Sequence, residues 1–345
     1  MGMLKLAEQA AASTPVSGSV VIYPKTDGLL YMKDDTGTET LVTTPGYVLQ
    51  PRKNGLINGN FQVWQRGTSF TTINEYAADR WRSWGGPQTF TISRVDSLTD
   101  FGTSRYAMRV QRNNGISTTN NLNIAQGIES LNSYKYRGKT VTLSFRARRG
   151  ANFSGASNQI TAGVFYGTGT DENPVGMTGQ TTAFSSAVTL DTTVTTFTVT
   201  GTISSSATQV TVWFTWTPTG TAGVNDYYDI TDVQLEVGSS ASEYEQRSYA
   251  DELLDCQRYY INTNNQGNTV GGTWDVTSGR NYHIPIHFPV KMRAAPTMTW
   301  YNWSSVGFGT PTFQQIGISG ANIYANASLT GAGYYLGYYS ASIEL

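Results

Sequence analysis

His283 and His287, the only two histidines of the chain, stand four apart in "NYHIPIHFP". Tyr282, Ile284, Ile286 and Phe288 alternate with them, which is the period of a strand. At about 3.3 Å per residue the two imidazoles lie ~13 Å apart, too far to chelate one ion from one strand. They read as polar residues on a wet or subunit-facing side. Cys256 is the single cysteine, so no intrachain disulfide forms and no zinc site rests on thiolates. No G-x-S-x-G elbow occurs, and neither Ser nor Cys has a recognisable activating partner. Glycosidases hold two carboxylates about 5–9.5 Å apart. Asp171 and Glu172 are adjacent in a Gly/Asn/Pro loop and read as solvated turn residues. The expectation is a protein that is not an enzyme, with no catalytic residues, metal or cofactor.

Binding is the chemistry that the remaining residues suit. A sugar needs an exposed aromatic face to stack on, ringed by a few amides or guanidinium groups. In "QVTVWFTWT", Val212, Phe214 and Trp216 take one face of a strand, and Thr211, Trp213 and Thr215 the other. Trp213 is therefore the expected platform, with Arg146 and Arg148 flanking it from the polar face of "TVTLSFRAR" and Tyr166 joining them. The same spacing also fits Trp213 packed under a loop or against a neighbouring subunit. Tyr334, Tyr335, Tyr338 and Tyr339 of "GAGYYLGYYSASIEL" occupy both strand faces, so half of them should be accessible. Tyrosine-rich surfaces suit adaptable recognition at low entropy cost. Trp64, Trp81 and Trp84, near the start of the strand-rich body, read as core or rim packing, and "ADRW" suits a salt-bridged corner.

The elements that carry these residues follow from composition and period. Charged residues are 14% of the 345, and the formal net charge is −1. No global field would draw in nucleic acid or an anionic membrane, and "RARRG" (Arg146 to Gly150) reads as a solvated strand end. No apolar run approaches the ~20 residues of a membrane span, and "MGMLKLAEQAAAS" lacks the pattern of a signal peptide. Thr, Ser, Gly, Asn and Tyr favour strands and turns, so the fold class is all-β.

Residues 1–50 predict a short amphipathic helix (Met3, Leu4, Leu6, Ala7, Ala10, Ala11) and a three-stranded meander in "VVIYPKTDGLLYMKDDTGTETLV". So small a segment buries little surface alone and should pair with copies of itself or with a larger partner. Residues 51–248 predict an antiparallel sandwich of two sheets. Its closing strand "YYDITDVQLEVG" slips phase near Thr231 and Asp232, the mark of a β-bulge. Residues 249–260 predict a linker helix capped by Ser248, with Ala250, Leu253, Leu254 and Gln257 as its apolar face. Residues 261–345 return to strands as a smaller β-domain.

Three stretches then add a resemblance. "NGLINGNFQVWQRGTSF…YAADRW" (54–81), "ITDVQLEVGSSASEYEQRSYADELLDCQRYY" (230–260) and "FPVKMRAAPTMTW" (288–300) resemble tail-fibre and receptor-binding structural proteins of tailed bacteriophages. The body between "NGNF" and "ITDVQLEVG" is similar to the jelly-roll sandwich of some carbohydrate-binding modules. "SGSVVIYPKTDGLLYMKDDTGTETLV" is similar to leader segments of phage virion proteins that attach a fibre or spike. The resemblance implies a non-enzymatic virion component, often a homotrimer. It would be anchored to a phage tail or capsid protein through residues 1–50 and would bind a host-surface glycan or receptor. The alternatives are a capsid-bound head fibre or decoration protein and, less fittingly, a polysaccharide depolymerase, since long β-helical repeats are missing. Such jelly rolls often hold a structural calcium where a carboxylate follows the "NGxF" phenylalanine. Here that position is Gln62, with Asp232 at the closing strand, so no metal is expected.

Overall fold

Alternating side chains of "VVIYP" make strand β1 (Val20–Pro24), which pairs antiparallel with β2 (Leu30–Asp34), itself paired with β3 (Glu39–Leu41). The computed structural model describes residues 7–26, 29–42, 52–86, 90–96, 101–102, 104–264, 267 and 269–345. The meander is thus present as expected, and Tyr23 is its buried residue. The Tyr23 hydroxyl donates to Glu39 at 2.6 Å and Lys25 pairs with the same carboxylate at 2.6 Å. These two donors hold the Glu39 carboxyl down to about 2. Most of the expected N-terminal helix lies outside the described residues. From Ala7 onward the chain is not helical, and Gln9 bridges to Lys25 instead. Too few residues are available there for a helix to stand without docking. Met1–Arg52 and Lys53–Leu345 are two separate compact units.

The second unit opens with eleven strands. They are β4 (Ser69–Phe70), β5 (Arg82–Gly85), β6 (Phe90–Asp96), β7 (Tyr106–Arg112), β8 (Leu122–Ile128), β9 (Thr140–Arg149), β10 (Gln159–Gly167), β11 (Thr181–Thr189), β12 (Thr195–Thr202), β13 (Gln209–Trp216) and β14 (Tyr227–Val237). A short helix α1 (Ser130–Ser133) lies between β8 and β9. A five-stranded sheet runs β11-β10-β13-β8-β5, and a six-stranded sheet runs β12-β9-β14-β7-β6-β4. Consecutive strands repeatedly change sheet, which is the jelly-roll arrangement. Period-2 faces decide what lies between the sheets. Val141, Leu143 and Phe145 of β9 meet Val212, Phe214 and Trp216 of β13, all buried. Phe145 and Phe214 touch edge to face with centroids 4.9 Å apart. The slip in β14 is a true register shift between Thr231 and Gln234, with Asp232 at φ +53°.

Helix α2 (Tyr249–Gln257) follows, and its N-cap is as expected: the Ser248 hydroxyl accepts from Asp251 N–H at 3.1 Å. Its buried face is not the expected one. Glu252, Cys256 and Gln257 point inward while Leu254 is 42% exposed and Ala250 is exposed. The reason is a polar socket in "LINGN". Glu252 accepts the Asn58 N–H and pairs with Arg247 at 3.0 Å, so its buried carboxylate is neutralised and hydrogen-bonded. Gln65 donates to the Tyr260 carbonyl at 2.7 Å and accepts, through its own carbonyl, from Asn262 at 3.1 Å. The helix is a packed element, not a free linker.

Seven strands follow: β15 (Tyr260–Asn262), β16 (Val270–Val276), β17 (Asn281–His287), β18 (Thr297–Val306), β19 (Thr312–Gly317), β20 (Gly320–Asn326) and β21 (Gly331–Ser342). β21 is central to one sheet, with β18 on one side and β15 and β16 on the other; β17, β20 and β19 form the second sheet. Ile261, Val276, Ile286, Ile323, Tyr335 and Tyr339 fill the core between them.

The chain end ties this region to the jelly roll. Arg66 pairs with Asp79 and with Glu344, each at 2.9 Å, and Arg80 pairs with the other oxygen of Glu344. Arg66 and Arg80 lie over the Tyr260 and Tyr259 rings, both at 3.5 Å. The salt-bridged corner expected of "ADRW" therefore exists, and its outer partner is a residue 264 positions away. Arg80 and Glu344 side chains are 2% and 7% exposed. Removing one partner of a buried pair leaves an uncompensated charge. Glu344→Gln is expected to lower the stability of this unit by about 3 kcal/mol, read as an earlier urea midpoint; an unmoved midpoint would remove the clamp from the account.

Candidate functional site

The structure does not bring the jelly-roll candidates together. Trp213 lies on β13, the middle strand of the five-stranded sheet, and is 9% exposed, so it is not a platform. Its indole stacks on Phe165 with centroids 4.7 Å apart and planes 10° from parallel. It lies across β10 at Gly163, where a Cβ would come within 2.9 Å of the ring. The next row is closed by Met177, whose sulfur accepts from the Thr211 hydroxyl at 3.6 Å. Tyr166 cannot join it: it alternates in phase with Ile160, Ala162 and Val164 and so faces the first core, while Gly163 and Phe165 share the Trp213 face. Arg146 and Arg148 belong to β9 in the other sheet. Arg148 donates to Asp229 at 3.0 Å beside Arg109, and Arg146 donates to the Phe101 carbonyl and lies 3.7 Å from Asp232. Alternation gives a residue's face but not which sheet that face belongs to.

Trp64 and Trp81 are buried, each with its indole N–H donated to a carbonyl, Phe61 and Asn58 respectively. His283 and His287 are exposed on β17, and His283 stacks on Tyr324 at 5.7 Å. Among the described residues no three His, Cys, Asp or Glu side chains converge as a metal site. Asp232 accepts from the Ser104 hydroxyl.

The C-terminal tyrosines divide by face. Tyr335 and Tyr339 are buried in the second core, which corrects their expected role as contact residues. Burial pushes both hydroxyls up to about 12. Tyr334 and Tyr338 project from the opposite face of β21, half-buried. Residues directly opposite in antiparallel pairs share a face. Register therefore places Tyr301 beside Tyr338, Ser304 beside Leu336, and Val306 and Thr273 on either side of Tyr334. Tyr301, Val306 and Leu336 are 37%, 47% and 39% exposed. The tyrosine hydroxyls are held at their rims: Ser340 donates to Tyr301 at 3.2 Å, and Ser304 lies 3.4 Å from Tyr334.

Trp303 is 40% exposed but does not join this face: it stands opposite Gly337, which shares the other face of β21 with Tyr335 and Tyr339. It sits where β18 shifts register between Tyr301 and Ser304, next to Asn302 at φ +47°. Only glycine fits opposite, since a Cβ on Gly337 would lie 2.8 Å from that of Trp303. Sequence reasoning missed Tyr301. The signal was available in "TMTWYNWSSV": Met298 and Trp300 alternate inward, and the break before "NWSS" marks the bulge. At the end of the face a cavity of about 620 Å3 is lined by Thr273, Trp274, Asp275, Val306, Gly333 and Tyr334. Aromatic rings, an exposed hydroxyl and an exposed carboxylate thus share one surface, which suits stacking on a ring and hydrogen bonding to its hydroxyls.

No family model matches the chain, and no curated protein matches it. Solved structures similar to it include the enzymatically active domain of tailspike protein 4 of bacteriophage CBA120, at 12% identity and a TM-score of 0.35, covering 54% of this chain and 22% of that one. The module TmCBM61, in complex with β-1,4-galactotriose, is 15% identical with a TM-score of 0.33, covering 54% and 99%. The C-terminal family 22 carbohydrate-binding module of Clostridium thermocellum Xyn10B is 17% identical with a TM-score of 0.32, covering 54% and 98%. The chain thus spans about a fifth of the tailspike structure's length.

With Trp213 packed and not displayed, its truncation should act on stability. Trp213→Ala is expected to cost about 3–5 kcal/mol through the cavity it leaves, seen as a lowered thermal midpoint. A mutant that melts like the parent would return Trp213 to the surface.

Proposed function

We propose that this protein is a non-enzymatic attachment component of a tailed-phage virion, and that it binds a host-surface glycan. The observation that carries the binding is the outer face of the β18–β21 sheet, where Tyr301, Tyr334 and Tyr338 share an uncovered surface beside Thr273 and Asp275. Stacking on such rings tolerates different sugars, while the few polar groups at the rim select among them. The virion part of the proposal rests on the resemblance carried by residues 54–81, 230–260 and 288–300.

Attachment through the N-terminal unit is supported by its size and surface. Val20 and Ile22, on one face of β1, are 58% and 51% exposed, and so small a unit buries little surface by itself. Covering that face with copies of itself and with a tail or capsid protein would satisfy both constraints. The homotrimer that follows is checked by sedimentation at micromolar concentration, where a trimer is expected and a clean monomer counts against it.

The glycan reading is tested on an array of bacterial surface polysaccharides. Wild type is expected to bind a subset, Tyr334→Ala to lose at least about ten-fold, and Tyr301→Ala somewhat less, in line with ~1–3 kcal/mol for an aromatic contact. Equal binding by both mutants would move the site off this face.

A further inference from the structure

After β14 the chain doubles back as a strap, residues 238–247, over the outer face of the six-stranded sheet. Ser242 fastens it, donating its N–H at 2.7 Å and its hydroxyl at 2.8 Å to Glu236, and the Glu245 N–H donates to Gln234 at 2.9 Å. Between the strap and the edge strand β12 lies a groove of about 690 Å3, within the range of saccharide and small-molecule sites.

The walls of this groove have a particular chemistry. β12 and β9 pair so that Thr196, Thr198 and Thr200 stand beside Arg146, Ser144 and Thr142. The result is a ladder of hydroxyls, two of which, Thr142 and Thr200, are 3.0 Å apart. Each hydroxyl both donates and accepts. At the floor Asp232 is 3% exposed, held at φ +53° in the β14 bulge, with the Arg146 guanidinium 3.7 Å from its carboxylate. A non-glycine residue fixed in that backbone region is strained, and such strain gathers where side chains must be aimed. Tyr244 supplies an apolar wall, its hydroxyl pushed well above the usual range by burial.

We infer that this groove is a second binding site, for a neutral, hydroxyl-rich saccharide held by hydrogen bonds and not by stacking. A carboxylate and a guanidinium side by side match two neighbouring sugar hydroxyls: one donates to Asp232 while the oxygen of the next accepts from Arg146. The ladder along β12 then offers alternating partners to the following ring. Neutrality follows from charge. Arg146 and Asp232 offset each other, the exposed Glu243 at the rim repels an acidic sugar, and Asp191 is the only charged residue between Glu172 and Asp226. The site stands on the jelly-roll body and does not depend on the aromatic face being a binding surface.

The test is calorimetric titration of the full chain with cellohexaose, maltohexaose and mannohexaose. Thr198 is exposed on an edge strand, so it can be changed without disturbing the core. At least one hexaose should bind wild type, and Tyr334→Ala should leave that binding in place. Thr198→Val, which removes one hydroxyl at constant shape, should weaken it up to about ten-fold, and Thr198→Trp, which fills the groove, should abolish it. Unchanged thermal midpoints would show that both variants fold. Absence of binding to all three sugars, loss of all binding in Tyr334→Ala, or binding unmoved by Thr198→Trp would each overturn the inference.

Discussion

The second unit depends on one buried carboxylate shared by two arginines. Glu344 sits between Arg66 and Arg80, each lying over one of the two tyrosines, Tyr260 and Tyr259, that follow helix α2, while the Asp79 side chain takes the far side of Arg66. Burying charges is costly unless every one is paired and hydrogen-bonded. Here the pairing is met by four separate segments: the first turn of the jelly roll, its corner, the end of the helix and the end of the chain. The Tyr76 hydroxyl adds a bond to the Leu345 carbonyl at 2.7 Å, and Arg293 donates to the carbonyls of Ile343 and Glu344. None of these segments can shift without exposing or orphaning a charge. That constraint pins the chain just beyond the end of β21.

A related device holds the far end of the sandwich. Arg112 ends β7 with no exposed surface and pairs with the equally buried Asp226 at 3.0 Å. Its guanidinium also donates to the carbonyls of Ile116, Thr118 and Gly220. Loop carbonyls that would be orphaned in a dry interior are thereby satisfied. Both clusters use arginine because its planar fork serves several acceptors at once. The sandwich core is apolar, but its ends are closed by charge.

Sequence made the repetitive parts of this fold legible. Strict alternation in β9 and β13 gave the right inward faces, and the broken phase in β14 located its bulge. Ser248 announced the start of helix α2. What sequence could not carry was partner identity. Trp213 does face away from the core, yet period 2 is silent on the stacking partner Phe165 and the glycine beneath it. Tyr166 shares its strand phase with Ile160, Ala162 and Val164 and so faces the core, which shows only once the inner face of β10 is fixed. The helix face failed because Glu252 looks like a solvent residue until Asn58 and Arg247 are known to meet it. Tyr335 and Tyr339 were separable from Tyr334 and Tyr338 only once the core side of β21 was fixed.

Why the uncovered aromatic surface lies on the second body and not on the jelly roll follows from what its connections cover. The five-stranded sheet has its outer tryptophan stacked and its Thr211 row closed by Met177. The six-stranded sheet carries the strap from Gly238 to Arg247 across Gln234 and Glu236. In the β18–β21 sheet the connections go elsewhere: β16 to β17 and β18 to β19 both cross to the opposing sheet. The outer face of β21 is left with tyrosine, leucine and valine in contact with water. Apolar side chains scattered singly on a surface need no explanation, but a contiguous set on one sheet face marks a contact surface. Serine hydroxyls at the tyrosine rims hold Tyr301 and Tyr334 in place, and rings already ordered in this way would lose less entropy on binding.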